Sequence, residues 1–147
     1  MPSIVDFHSA EDPRDLVHQI VQTLAEGELA GLPTETGYVT VAHALQPAAA
    51  ERLSTFRRRL GSPRSVLALK HPQEALDYVP QIGALGRKLT RRFWPGPVTL
   101  LFDEPLEEGL AGVLPQATRD ELSADRGLAL RLPAHELTSS VLRLLPA

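Results

Sequence analysis

Short apolar stretches punctuated by proline and glycine set the strongest limit on how this chain can fold. "ELAGL", residues 28–32, runs into Pro33, and "YVTVAHAL", residues 38–45, is strand-like at its start. "SVLAL", residues 65–69, follows the breaker Gly61-Ser62-Pro63. Val98 to Phe102 follows the rigid turn Phe93-Trp94-Pro95-Gly96-Pro97, and "GLALRLP", residues 127–133, alternates around Arg131. Each is too short for a stable helix and suits a strand, with Pro33 expected to end the first.

Helical patterns separate these stretches. Asp12-Pro13 reads as an N-cap with proline in the first helical position. Leu16, Val17, Ile20, Val21 and Leu24 then recur at helical spacing, and Gly27 stands where a C-cap glycine would, which predicts a helix over about 13–26. A second helix starts at Pro47, with Ala50, Leu53 and Phe56 on one face and arginines at its end, where they suit the dipole. Further helices are expected near His71-Pro72, over roughly 80–93, and in "AHELTSSVLRLLPA" at the end. Residues 103–126 are acidic and loop-like, with room for short helices. The alternation predicts an α/β (α+β) arrangement in one domain, 1–147.

Composition narrows the function classes. The 147 residues contain no cysteine, which excludes disulfides and thiolate metal sites. The five histidines (8, 18, 43, 71 and 135) show no metal-ligand spacing, so no metal site is expected. No apolar run approaches the roughly 18 residues of a membrane helix, and the amino terminus has no signal-peptide pattern. A cytoplasmic protein without membrane contact is the expectation. No Gly-x-Ser-x-Gly signature is present, and "GALGRKLT" lacks the glycine-to-lysine spacing of a P-loop.

Charge is unevenly placed. Residues 57–92 hold nine lysines and arginines against Glu74 and Asp77, a local balance of +7 within a chain of net −3, which leaves −10 elsewhere. That asymmetry points to a local anion site as much as to solvated helix faces. "RRRLGSPR", Arg57 to Arg64, could surround phosphates or cap a helix end in solvent. In "LPTETGY", residues 32–38, Thr34, Glu35 and Thr36 could bind a polar zwitterion or simply close a turn. Trp94 reads as core or as a stacking surface.

Four of these stretches, in this order and spacing, resemble the Sua5/YrdC/YciO family. "LPTETGY" is similar to its "PT(D/E)TxYG" segment, and "ERLSTFRRRLGSPRSVLAL" to its "RI..iKGRP..kPL" segment. "FWPGPVTLLF" is similar to its "FWPGPLT", and "LALRLPAHE" to its "vavRvPdHp" strand. The resemblance implies a YrdC-like fold: a twisted mixed sheet, with helices packed around a basic cavity. It implies a nucleotidyltransferase activity of the L-threonylcarbamoyladenylate synthase type. L-threonine, bicarbonate and ATP would give threonylcarbamoyl-AMP and pyrophosphate, for t6A formation on tRNA, with Mg²⁺ accompanying the ATP. It places Thr34, Glu35, Thr36 and Tyr38 at the amino-acid end of the cavity, and Arg57 and Arg59 as catalytic residues on the ATP phosphates and the threonine carboxylate. Arg64 joins them on the phosphates, and Arg131 shapes the pocket.

The sequence departs from the family pattern at three points. Arg57 replaces a lysine, and Val39 stands where the glycine after the tyrosine would be. The family's later "SAN.SG" segment has no counterpart before Ala147, so a fragment or a shortened relative is expected. These departures keep two alternatives open. One is a non-catalytic relative binding nucleotide or double-stranded RNA. The other is a homo-oligomer joined through an open sheet edge.

Overall fold

The computed structural model describes residues 2–103, 105–123 and 126–146. Its helices are α1 (Pro13–Ala25), α2 (Pro47–Arg59), α3 (Glu74–Tyr78), α4 (Ala84–Phe93), α5 (Gln116–Leu122) and α6 (Glu136–Leu144). Its strands are β1 (Ala30–Thr34), β2 (Gly37–Val41), β3 (Leu67–Ala68), β4 (Leu100–Phe102) and β5 (Leu128–Arg131). The mixed α/β class is as expected, and the strands divide between two small sheets. β1 and β2 form an antiparallel hairpin. β5 lies between β3, to which it is parallel, and β4, to which it is antiparallel.

Local signals account for α1. Asp12 Oδ1 accepts from the Arg14 amide at 2.9 Å, and Pro13 occupies N1. At the other end Gly27 has φ +84°, Glu28 N donates to Thr23 O at 3.2 Å, and Gly27 N donates to Leu24 O at 3.0 Å. That pair of bonds is the Schellman arrangement, which an L side chain at Gly27 would strain. The apolar face of α1 then packs with β1 and α6 in one cluster around Val17, Leu24, Leu32, Leu137 and Val141. A second cluster gathers Leu67, Leu69, Trp94, Leu128, Leu130 and Leu132 around the three-stranded sheet. Each fully buried leucine contributes roughly 2 kcal/mol relative to exposure.

Pro33 does not end β1; the strand continues to Thr34, with Pro33 opposite Tyr38. The carbonyl of Pro33 faces α6 and accepts from Thr138 Oγ1 at 2.5 Å. In an antiparallel strand the N and O of one residue point to the same side, so the missing N–H lies away from β2 and costs no ladder bond. Trp94 is core, 6% exposed, with Nε1 donating to Val98 O at 2.7 Å. The turn that carries it is pinned to β5's continuation by Gly96 N, which donates to Leu132 O at 2.9 Å.

Candidate functional site

A cavity of about 500 Å³ opens between the β1–β2 hairpin, the end of α2 and the strands β3 and β5. Thr34, Tyr38, Arg57, Arg64, Lys70 and Arg131 line it. Four cations therefore meet the Thr34 hydroxyl and the Tyr38 phenol of the hairpin, drawn from segments up to 97 residues apart in sequence.

Each cation is held differently. Arg131, at the end of β5, donates Nε to Gly96 O at 3.3 Å and Nη2 to Thr36 Oγ1 at 3.3 Å, and forms an ion pair with Glu35. Glu35 also accepts from the Ala134 amide at 2.9 Å. Burial raises the Glu35 carboxyl, but the hydrogen bonds from Arg131 and Ala134 outweigh it and hold the group below the usual carboxylate range. Arg57 donates Nε to Glu121 Oε1 at 2.5 Å and Nη2 to Oε2 at 3.4 Å. Ser65 Oγ donates to the same Oε1 at 2.6 Å. Burial again raises Glu121, and the bonds from Arg57, Ser65 and Ser54 bring it below the ordinary value. Arg64 spends both Nη groups on the carbonyls of Arg126 and Gly127 at 3.0 Å. Lys70 Nζ donates to Leu145 O at 3.0 Å.

The hairpin residues serve two roles. Thr34 Oγ1 accepts from the Thr36 amide at 3.2 Å and donates to Gly37 O at 2.7 Å, so it closes the turn while its side chain reaches the cavity wall. Glu35 and Thr36 stand behind Arg131 instead of lining the cavity, and Tyr38 is an exposed rim residue.

Arg59 does not join Arg57. It lines an adjoining, wider groove of about 1250 Å³, which meets the cavity at Tyr38 and Phe56 and also includes α1 residues and Glu51. Residues two apart on a helix point about 200° from each other, so one helix end cannot aim both guanidiniums at one pocket. Sequence reasoning also missed Glu121, the carboxylate that holds Arg57. It lies 64 residues away in an acidic stretch that reads as loop, and no spacing connects the two. His43 lines the cavity too; it is buried, and its Nδ1 accepts from the Leu45 amide at 3.1 Å. Among the described residues no group of three or more His, Asp or Glu is placed to hold a metal ion. Among them, too, no helix is long and apolar enough to cross a membrane.

These groups predict a two-stage acid response. Burial holds His43 below its ordinary 6.5. The unfolded chain therefore binds that proton first, and stability falls as the pH drops below about 6.5. Glu35 and Glu121 have depressed values, so their contribution is complete above the unfolded value of 4.5 and is lost as the pH falls through the lower folded values. Thermal melting between pH 8 and pH 3 should show both declines, and His43→Gln should remove only the first.

Comparison with known proteins puts this arrangement in context. The Sua5/YciO/YrdC family model, described as "Telomere recombination", matches residues 22–147. The chain belongs to the Sua5/YciO/YrdC family. A threonylcarbamoyl-AMP synthase of Pyrococcus abyssi is 30% identical over 82% of this chain and 33% of its own length. One of Bacillus subtilis is 26% identical over 95% of this chain and 38% of its own. The chain thus spans about a third of the length of these relatives. Among solved structures, a double variant of Pyrococcus abyssi Sua5 aligns with TM-score 0.76 and 25% identity, covering 98% of this chain and 41% of that one. Pyrococcus abyssi Sua5 complexed with L-threonine aligns with TM-score 0.69 and 26% identity, covering 87% and 35%. The YrdC-like fold expected from the motifs is the one observed.

Proposed function

We propose that this cavity binds L-threonine and the triphosphate of ATP, and that the chain carries the threonylcarbamoyl-AMP synthase reaction of its relatives, in the t6A pathway. The observation that carries this reading is the cavity lined jointly by Thr34, Arg57, Arg64, Lys70 and Arg131. In the reaction, the threonine amine attacks the bicarbonate carbon and water leaves, giving a carbamate. A carbamate oxygen then attacks the α-phosphorus of ATP, and pyrophosphate departs. Neither step needs a covalent protein nucleophile. Both need neutralised phosphate charge and two small reactants held at the right distance, which placed cations and a hydroxyl supply. The only carboxylate in the cavity wall among the described residues is Glu74, whose Oε2 accepts from the Lys70 amide at 3.2 Å. That donor set fits a Mg²⁺ that arrives on the triphosphate and stays mostly on phosphates and water.

The test is pyrophosphate release from ATP with bicarbonate, measured with and without L-threonine. Threonine-dependent release is the expected result. No such release from chain that melts cooperatively would refute the reading.

One feature favours a second reading, double-stranded RNA binding without turnover. Arg87, Lys88, Arg91 and Arg92 are exposed on one face of α4, and none forms an ion pair among the described residues. The pairs 87–91 and 88–92 place like charges four apart on a helix, an arrangement that a row of phosphates would relieve. A steep loss of RNA affinity with salt, weakened by neutralising these four residues, is the outcome this reading requires.

A further inference from the structure

Glu121, from the acidic segment, lies buried behind the cavity wall and holds Arg57, which lines it, and its surroundings are fully built. Its side chain is 5% exposed and that of Arg57 17%. Oε1 accepts from Arg57 Nε at 2.5 Å and from Ser65 Oγ at 2.6 Å, Oε2 accepts from Arg57 Nη2 at 3.4 Å, and Ser54 adds a further bond. α5 supplies the carboxylate and the end of α2 supplies the guanidinium, so the pair also joins two elements packed against each other.

The orientation matters more than the pairing. Glu121 engages Arg57 from the Nε side. The Nη1 side is thereby aimed at Ser62 O, 3.5 Å away, in the cavity wall. Without this clamp the guanidinium ends a long flexible stem, and a ligand would have to immobilise it on binding. Held in advance, it meets a ligand already ordered. Kinases use the same device, a buried glutamate from another helix fixing the cation that touches the nucleotide phosphates.

We propose that Glu121 is a positioning residue, aiming the Arg57 guanidinium at the phosphates of a bound nucleotide and, through Ser65 and Ser54, fixing that aim to the loop after α2 and to α2 itself. The inference rests on the phosphate-binding reading above. Glu121 touches no ligand. It acts through Arg57 alone, and that sets its signature.

The experiment is calorimetric titration of the 147-residue chain with inorganic pyrophosphate, alongside thermal melting. Glu121→Gln keeps the shape but loosens the clamp, and should weaken pyrophosphate binding about tenfold. Ser65→Ala removes one of the bonds to Oε1 and should weaken it about threefold, which keeps the test open should Glu121→Gln fail to fold. In an Arg57→Lys background there is no planar fork to aim, so adding Glu121→Gln should change binding by less than about threefold. A purely structural role would give the same loss in both backgrounds, and that result would overturn the proposal. So would unchanged or tighter binding by folded Glu121→Gln or Ser65→Ala, the sign expected if the carboxylate merely competes with the ligand. If the unaltered chain binds no pyrophosphate at all, the phosphate-binding reading itself fails and takes this inference with it.

Discussion

Trp94→Ala should lower stability by about 3–5 kcal/mol, the largest loss expected of any single change outside the cavity. The indole is buried in the cluster around the three-stranded sheet, which also holds Leu67, Leu128, Leu130 and Leu132. Its removal leaves a cavity that these neighbours, themselves on strands or pinned beside one, cannot collapse to fill. It also strands the Val98 carbonyl, which accepts from Nε1 at 2.7 Å. For a chain of this size the midpoint should fall by on the order of 10–15 °C in a thermal scan. Trp94→Phe keeps most of the ring and loses only the N–H, so it should cost about 1–3 kcal/mol. Equal effects of the two replacements would show that packing is not what the indole supplies.

Arg131→Met should act on the fold and the cavity together. Arg131 joins three otherwise separate pieces: the hairpin tip through Glu35 and Thr36, the turn through Gly96, and β5, which carries it. The side chains of Arg131 and Glu35 are 16% and 24% exposed, between a surface pair worth little and a buried one whose breakage costs several kcal/mol. A loss of about 2 kcal/mol is therefore expected, with faster hydrogen exchange at the Thr36 and Ala134 amides as the local mark. Threonine-dependent pyrophosphate release should fall by more than the stability loss explains, because the hairpin sets the position of Thr34. Arg131→Met combined with Glu35→Gln should recover most of the stability and none of the activity. Full recovery of both would remove Arg131 from the site.

How much was legible beforehand depended on the range of each interaction. α1 could be read almost to the residue, because Asp12, Pro13 and Gly27 act on backbone groups within a few positions of themselves. The stretch "LPTETGY", residues 32–38, gave an open choice between turn and pocket, and Thr34 turns out to be both: it bonds within the hairpin and lines the cavity. Pro33 misled, because its effect on a strand depends on which side its missing N–H faces, and that is set by the partner strand. Arg59 stands in a different groove from Arg57 for another reason. The resemblance pairs the two by motif position, whereas a helix distributes residues two apart around its circumference.

The amino-acid order by itself determined the α/β class, the ends of the first helix, the rigid turn around Trp94 and the membership of Arg131 in a strand, all consequences of caps, periodicity and short-range sterics. Only the tertiary structure decided that Arg57 meets Glu121, that Glu35 meets Arg131 rather than the cavity, and that the strands form two sheets. Those outcomes depend on how α2, α5 and the hairpin pack. A side chain's partner 64 or 96 residues away is chosen by the sum of that packing, to which no single spacing in the sequence corresponds.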